Sequence, residues 1–148
     1  MAAGNWIVYD SAREYLADGT IDLDTHTFKV MLTTSSYTPS ASHTVLADVT
    51  SEVTNGNGYL TGGQALTSVT WAHSGTTATF DAANPAWTAS GGSIANIKNA
   101  VIYDDTAASD ELLCYCVLDA STITVTDGNT FTINLNASGI LTLSGASS

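Results

Sequence analysis

The stretch TFKVMLTT, residues 27–34, decides the fold class because its apolar residues recur at every second position. On an extended chain Phe28, Val30 and Leu32 fall on one face, and Lys29 and Met31 fall on the other. Phenylalanine, valine and threonine also suit a pleated, half-buried surface better than a helix. The stretch therefore predicts a β-strand with one face in the core.

Similar runs recur along the rest of the chain at the intervals typical of β-sandwiches and barrels. The segment TDGNT, residues 126–130, predicts a hairpin turn between two of them. Together the runs predict an all-β fold: an antiparallel β-sandwich or jelly roll of about seven or eight strands. The runs are ALTSVTW (65–71), TTATFD (76–81), IKNAVIYD (97–104), LLCYCVL (112–118), STITVT (121–126), TFTINLN (130–136) and GILTLS (139–144).

One short helix is predicted near the N-terminus, at residues 11–18. Ser11 and Glu14 have the spacing of a capping box, and Gly19 stands where a left-handed residue would end the helix. Residues 1–8 before it read as an apolar N-terminal arm, a type of segment that docks onto partners. We expect the whole chain, residues 1–148, to form a single domain.

Charge narrows the classes of partner. Fourteen acidic residues face only three basic ones, Arg13, Lys29 and Lys98, so the formal net charge is −11. Nucleic-acid binding requires clustered cations that replace phosphate counterions, so DNA and RNA are not expected partners. Neither a signal peptide nor an 18-residue apolar stretch occurs. We therefore expect synthesis in the cytoplasm and no association with a membrane.

Candidate metal ligands and thiols are few. Cys114 and Cys116 lie two residues apart on a predicted strand, too far for a disulfide, and predict two buried free thiols. Asp22 and Asp24, just after Asp18, are expected on the solvated face of the first strand, with a bound calcium ion as the alternative. A second acidic group predicts a solvated turn between strands and comprises Asp104, Asp105, Asp110 and Glu111.

No pattern of residues predicts an enzyme or a bound cofactor. The histidines stand at positions 26, 43 and 73, without a partner at metal-ligand spacing, and neither a nucleophile elbow nor a phosphate loop occurs. A sugar-binding platform of aromatic residues is an alternative to a core role for them. The aromatic residues considered are Trp6, Trp71, Trp87, Tyr37, Tyr59 and Tyr103.

Five motifs follow one another along the chain: DGTIDLDT (18–25), SYTP (36–39), NGYLTGG (57–63), AVIYDDT (100–106) and ASGILTL (137–143). This series, from about residue 9 to residue 144, resembles a family of small virion structural proteins of tailed bacteriophages. The resemblance implies a β-rich, non-enzymatic protein of the virion.

Two places in the virion fit this resemblance. A capsid decoration, or cement, protein on the capsid surface is favoured, and its partner would be the major capsid protein. A tail or head–tail junction component is the alternative. A carbohydrate-binding module on the virion surface is an alternative of a different functional class. The resemblance further implies a dimer or trimer. Because aromatic anchors dominate interface energy, the expected contacts are the arm and the loop 55–63. Their residues are Asn5, Trp6, Ile7, Asn55, Asn57 and Tyr59.

Overall fold

The computed structural model describes residues 4–145. Strands hold 39% of the residues and helices 8%, which confirms the predicted all-β fold with antiparallel strands and one α-helix. Within the described range there are twelve strands, more than the seven or eight predicted. The excess arises because several strands are only two or three residues long and escape a period-two pattern.

The helix α1 spans Asp10–Asp18, and a 3-10 helix spans Leu46–Asp48. In chain order the strands are β1 (Ile7–Val8), β2 (Phe28–Thr33), β3 (Gln64–Ala65), β4 (Thr70–Ser74), β5 (Thr77–Asp81), β6 (Ala86–Thr88), β7 (Ile94–Ile97), β8 (Asn99–Asp104), β9 (Leu112–Val117), β10 (Ile123–Val125), β11 (Thr130–Thr132) and β12 (Leu141–Ser144).

A five-stranded antiparallel sheet, in the order β1-β9-β8-β2-β3, forms the centre of the molecule. Strands β2 and β8 pair along their full length, from Phe28 opposite Asp104 to Thr33 opposite Asn99. Every residue of β8 is buried, and Met31 of β2 is only 3% exposed. The sheet is therefore covered on both faces, whereas the alternation in β2 predicted one solvated face.

The remaining strands form a three-stranded sheet, β12-β5-β4, and the pairs β10-β7 and β11-β6. The turn at residues 126–130 exists, since Asn129 donates its N–H to the Thr126 carbonyl at 3.0 Å. The predicted hairpin is wrong, because the strands on either side of this turn pair with β7 and β6 instead of each other. Stacking of Phe131 on Trp87, with ring centres 6.1 Å apart, contributes to that choice of partner.

The helix α1 begins one residue earlier than predicted and lacks the predicted capping box. Tyr9 is its N-cap, and no side chain caps the first turn. The hydroxyl of Ser11 is instead buried without a hydrogen-bond partner among residues 4–145. The packing of Tyr9 in the core determines where the helix begins, because this side chain is fully buried with its ring centre 5.0 Å from that of Tyr115. At the other end Gly19 has φ 84°, which confirms the predicted left-handed stop.

Strand register determines which residues share the face of the central sheet that meets the three-stranded sheet. Residues opposite each other in an antiparallel pair lie on the same face. Following the pairs from Phe28 through β8 and β9 places Val8 on the same face as Phe28. Phe28 contacts Phe80 of β5, with ring centres 5.0 Å apart. The two sheets meet there; their arrangement as a sandwich or jelly roll stays a prediction.

Candidate functional site

The loop of residues 55–63 is tied to the core through Tyr59. Its side chain is fully buried, and its hydroxyl accepts the Leu32 N–H at 3.0 Å and donates to Glu52 Oε1 at 2.8 Å. Burial raises the pKa of Tyr59 far above its ordinary value. The prediction that Tyr59 anchors a partner protein is therefore wrong, because a fully buried ring presents no surface to it.

The two asparagines of this loop are exposed but also hold it in shape. Asn55 Oδ1 accepts the Thr61 N–H at 3.0 Å. Asn57, at φ 53°, donates from Nδ2 to the Ser93 carbonyl at 3.0 Å. Both keep exposed surface, so their predicted contact with a partner stays a prediction.

The second predicted contact segment is a strand rather than a free arm from Ile7 onward. Ile7 pairs with Tyr115 and Val8 with Cys114, so β1 forms an edge of the central sheet. Trp6 is half-buried against the core, whereas Ile7 is 44% exposed and Asn5 is exposed. This region therefore offers a partner a short edge strand. Residues 1–3 of the predicted arm lie outside the described residues.

The first acidic group forms turns before the strand and does not lie on it. Strand β2 begins at Phe28, so the prediction that Asp22 and Asp24 occupy its solvated face is wrong. Asp22 accepts the Thr25 hydroxyl at 2.8 Å and the Asp24 N–H at 2.9 Å. The hydrogen bond from Thr25 lowers the pKa of Asp22. Across residues 4–145, no three His, Cys, Asp or Glu side chains are grouped to hold a metal ion.

The second acidic group is only partly solvated. Asp104 is fully buried, and its Oδ1 accepts the N–H groups of Thr106 at 2.9 Å and Ala107 at 3.1 Å. His26 Nδ1 lies 2.6 Å from Asp104 Oδ2, so the turn before β2 is joined to the hairpin between β8 and β9. Asp105 beside it is exposed and pairs with Lys29 at 2.9 Å. The predicted solvated turn is therefore wrong for Asp104, which links two turns inside the protein, and for Glu111, which is only 8% exposed.

The remaining candidates for chemistry are built into the core. Cys114 and Cys116 are free, as predicted, and both are buried. Burial raises the pKa of the Cys114 thiol, which makes it a poor nucleophile. Four of the six aromatic residues considered for the alternative of a sugar platform are also at most 4% exposed, so these four form no stacking surface for a sugar. These are Trp87, Tyr37, Tyr59 and Tyr103.

An open apolar groove of about 650 Å³ is lined by residues of α1, of the segment that follows it and of strands β4 and β12. Val8, on the same face as Phe28, is among its lining residues. Leucine, isoleucine and tryptophan side chains from the two sides form its walls. They are Leu16, Ile21 and Leu23 on one side and Trp71, Leu141 and Leu143 on the other.

Sequence reasoning missed this groove. The alternation in GILTLS places Leu141 and Leu143 on one face, which was the available signal. Nothing in that alternation indicates that Leu143 would be 66% exposed, because its surroundings come from distant segments.

Comparisons of the chain with protein-family models, with curated proteins and with solved structures returned no match. None of the helices formed by residues 4–145 is both long and apolar enough to cross a membrane.

Proposed function

We propose that this chain is a non-enzymatic structural protein of a bacteriophage virion, a capsid decoration (cement) protein that binds the lattice of the major capsid protein. The observation that carries the proposal is the ordered series of motifs between residues 18 and 143, which resembles small virion structural proteins. Residues of these motifs hold the fold together: Tyr59 joins the loop to β2, and Asp104 joins the β8–β9 hairpin to the turn before β2. Residues that hold a fold together are the ones that structural proteins with the same fold are expected to share, so the positions of these residues support the proposal.

The charge distribution argues against a position in contact with packaged DNA, and it fits a capsid-surface position and a tail position equally. A DNA-facing protein needs free cations, but each of the three basic side chains has an internal partner. Arg13 pairs with Asp10 at 2.8 Å, Lys29 pairs with Asp105, and Lys98 donates to the Asp119 carbonyl at 2.7 Å. The net charge of −11 also keeps the protein soluble until it docks.

The proposed mechanism is mechanical stabilisation by mass action. A protein that binds the assembled lattice and not its free subunits shifts the equilibrium toward the assembled state. Many copies, each with a modest contact, add up to a large stabilisation of the whole shell. No bond is made or broken in this role.

A dimer or trimer is part of the proposal, and the exposed edge at β1 suits such a contact. Ile7 lies opposite Tyr115, so it shares a face with Val117 two residues further along β9. Both are large apolar residues, exposed by 44% and 46%. Ile7→Asp should convert the oligomer to a monomer in size-exclusion chromatography with light scattering, whereas the exposed Leu60→Asp should not.

The copy number per virion tests the proposed function. Quantitative mass spectrometry of purified virions of the encoding phage should find hundreds of copies, as expected of a protein distributed over the capsid lattice. A copy number of about six or twelve, the order of a ring, would place the protein in the tail or head–tail junction instead. Absence from purified virions would overturn the proposal as a whole.

A further inference from the structure

We propose that the groove between α1 and β12 binds an extended apolar segment of the major capsid protein, flanked by lysine or arginine, and that this segment pairs with β12 as an added strand. The inference rests on the proposed function and specifies which surface docks and what it recognises.

The groove has the size and lining of a site for apolar side chains. Its volume of about 650 Å³ lies within the usual range for binding sites in proteins, roughly 300–1,000 Å³. Leu143 is 66% exposed there, and Leu141 and Trp71 are partly exposed. Covering these side chains removes apolar surface from water, which is the main favourable term in protein association.

The geometry of β12 favours an extended partner over a helical one. In the order β12-β5-β4, β12 is an edge strand, and no described residue forms a strand on its outer side. Leu141 and Leu143 pair with Phe80 and Ala78 of β5, so both leucines lie on the face that lines the groove. An added strand would satisfy the free backbone groups of β12 and lay alternate side chains into the groove.

The negative charge of this chain favours basic residues on either side of the partner's apolar segment. The same charge argues against a second copy of this chain as the partner. The charged residues that line the groove are Asp22 and Arg13, and residues 10–24, which contain its α1 wall, carry five acidic residues and one basic residue. The basic residue is Arg13, and it already pairs with Asp10. Lysine or arginine beside the apolar segment would complement the acidic residues within 10–24 and the net charge of −11, whereas a second copy of this chain would carry like charge.

The test uses the full-length protein and expanded capsids that lack it. Leu143→Asp should weaken capsid binding by at least about tenfold, since it puts a charge where an apolar contact forms. Thr124→Asp is the control, because Thr124 is exposed on β10 and lies outside the groove, the loop 55–63 and the β1 edge. Unchanged urea unfolding of both variants shows that the comparison concerns binding. Trp71→Ser, which changes a partly exposed wall residue of the groove, provides a second groove variant if Leu143→Asp unfolds.

A photocrosslinking residue in place of Leu143 identifies the occupant. We expect a crosslink to an apolar segment of the major capsid protein with basic neighbours, and none from the same residue at position 124. A crosslink to a second copy of this chain, or wild-type binding by the groove variants, would overturn the inference while the proposed function stands. Failure of the wild-type protein to bind capsids would overturn both.

Discussion

The hydroxyl group of Tyr59 joins the loop of residues 55–63 to strand β2 inside the core. We expect Tyr59→Phe to lower the free energy of unfolding by about 1–3 kcal/mol, because the Leu32 N–H and the Glu52 carboxylate lose a partner while the ring still packs. Urea unfolding followed by circular dichroism measures the change. Tyr15→Phe is the control, since the Tyr15 hydroxyl has no hydrogen bond to any residue of the described range, and its effect should stay within about 0.5 kcal/mol. Equal losses in the two variants would contradict the role of Tyr59.

Gly63 ends the same loop at a point where two backbones touch. Its φ is 78°, and a Cβ there would overlap the Val30 carbonyl oxygen and lie 2.7 Å from the Met31 Cα. Gly128 has a similar φ of 82°, with no neighbouring atom within 4 Å of its Cβ position. We expect Gly128→Ala to lower the free energy of unfolding by about 1–2 kcal/mol through backbone strain alone. Gly63→Ala should lower it by about 1–3 kcal/mol more, because the new Cβ also collides with the Val30 backbone. Urea unfolding of both variants separates the two terms, and equal costs would show that the backbones move apart freely.

At the scale of elements, the β8–β9 hairpin depends on a buried carboxylate. Asp104→Ala should lower the free energy of unfolding by about 2–4 kcal/mol, because the N–H groups of Thr106 and Ala107 and the imidazole of His26 all lose their acceptor. Thermal and urea unfolding measure this loss.

The neighbouring residue supplies the control for that change. Asp105→Ala removes an exposed ion pair with Lys29, whose side chains are 33% and 35% exposed, so its cost should stay below about 1 kcal/mol. A smaller loss of unfolding free energy for Asp104→Ala than for Asp105→Ala would refute the stabilising role of the buried Asp104 carboxylate.

The same elements show what sequence periodicity resolves and what it does not. The alternation of apolar and polar residues located β2 and β9, because apolar side chains tend to be buried wherever they stand in a strand. Gly19 marked the helix end, because a left-handed backbone conformation depends on the residue itself and not on distant segments. The hairpin at residues 126–130 was mispredicted because a turn sequence does not specify strand partners, which here depend on contacts such as Phe131 on Trp87. The role of Tyr59 and the apolar groove likewise depend on segments far apart in the chain.

At the scale of the whole molecule, the buried hydrophobic residues of both sheets and the loops belong to one core cluster. Strand β9 lies within the central sheet, between β1 and β8, and carries both thiols. A thiol reagent can therefore reach either cysteine only after the sheet opens.

Two variants, each with a single thiol, can test whether the core opens as one cooperative unit. Cys116→Ala leaves Cys114 as the reporter, and Cys114→Ala leaves Cys116, which is also fully buried but lies near Gly4 at the β1 edge. If the core opens as one unit, the free energy of opening from the labelling rate should match that from urea unfolding within about 1 kcal/mol for each variant. Faster labelling of Cys116 alone would mean that residues 4–8 detach by themselves, because Gly4 lies against Cys116 and β1 is the described strand that follows it along the edge of β9. In that case the edge strand carrying Ile7 would be a separately opening unit, and its proposed role in subunit contacts would require ordering on association.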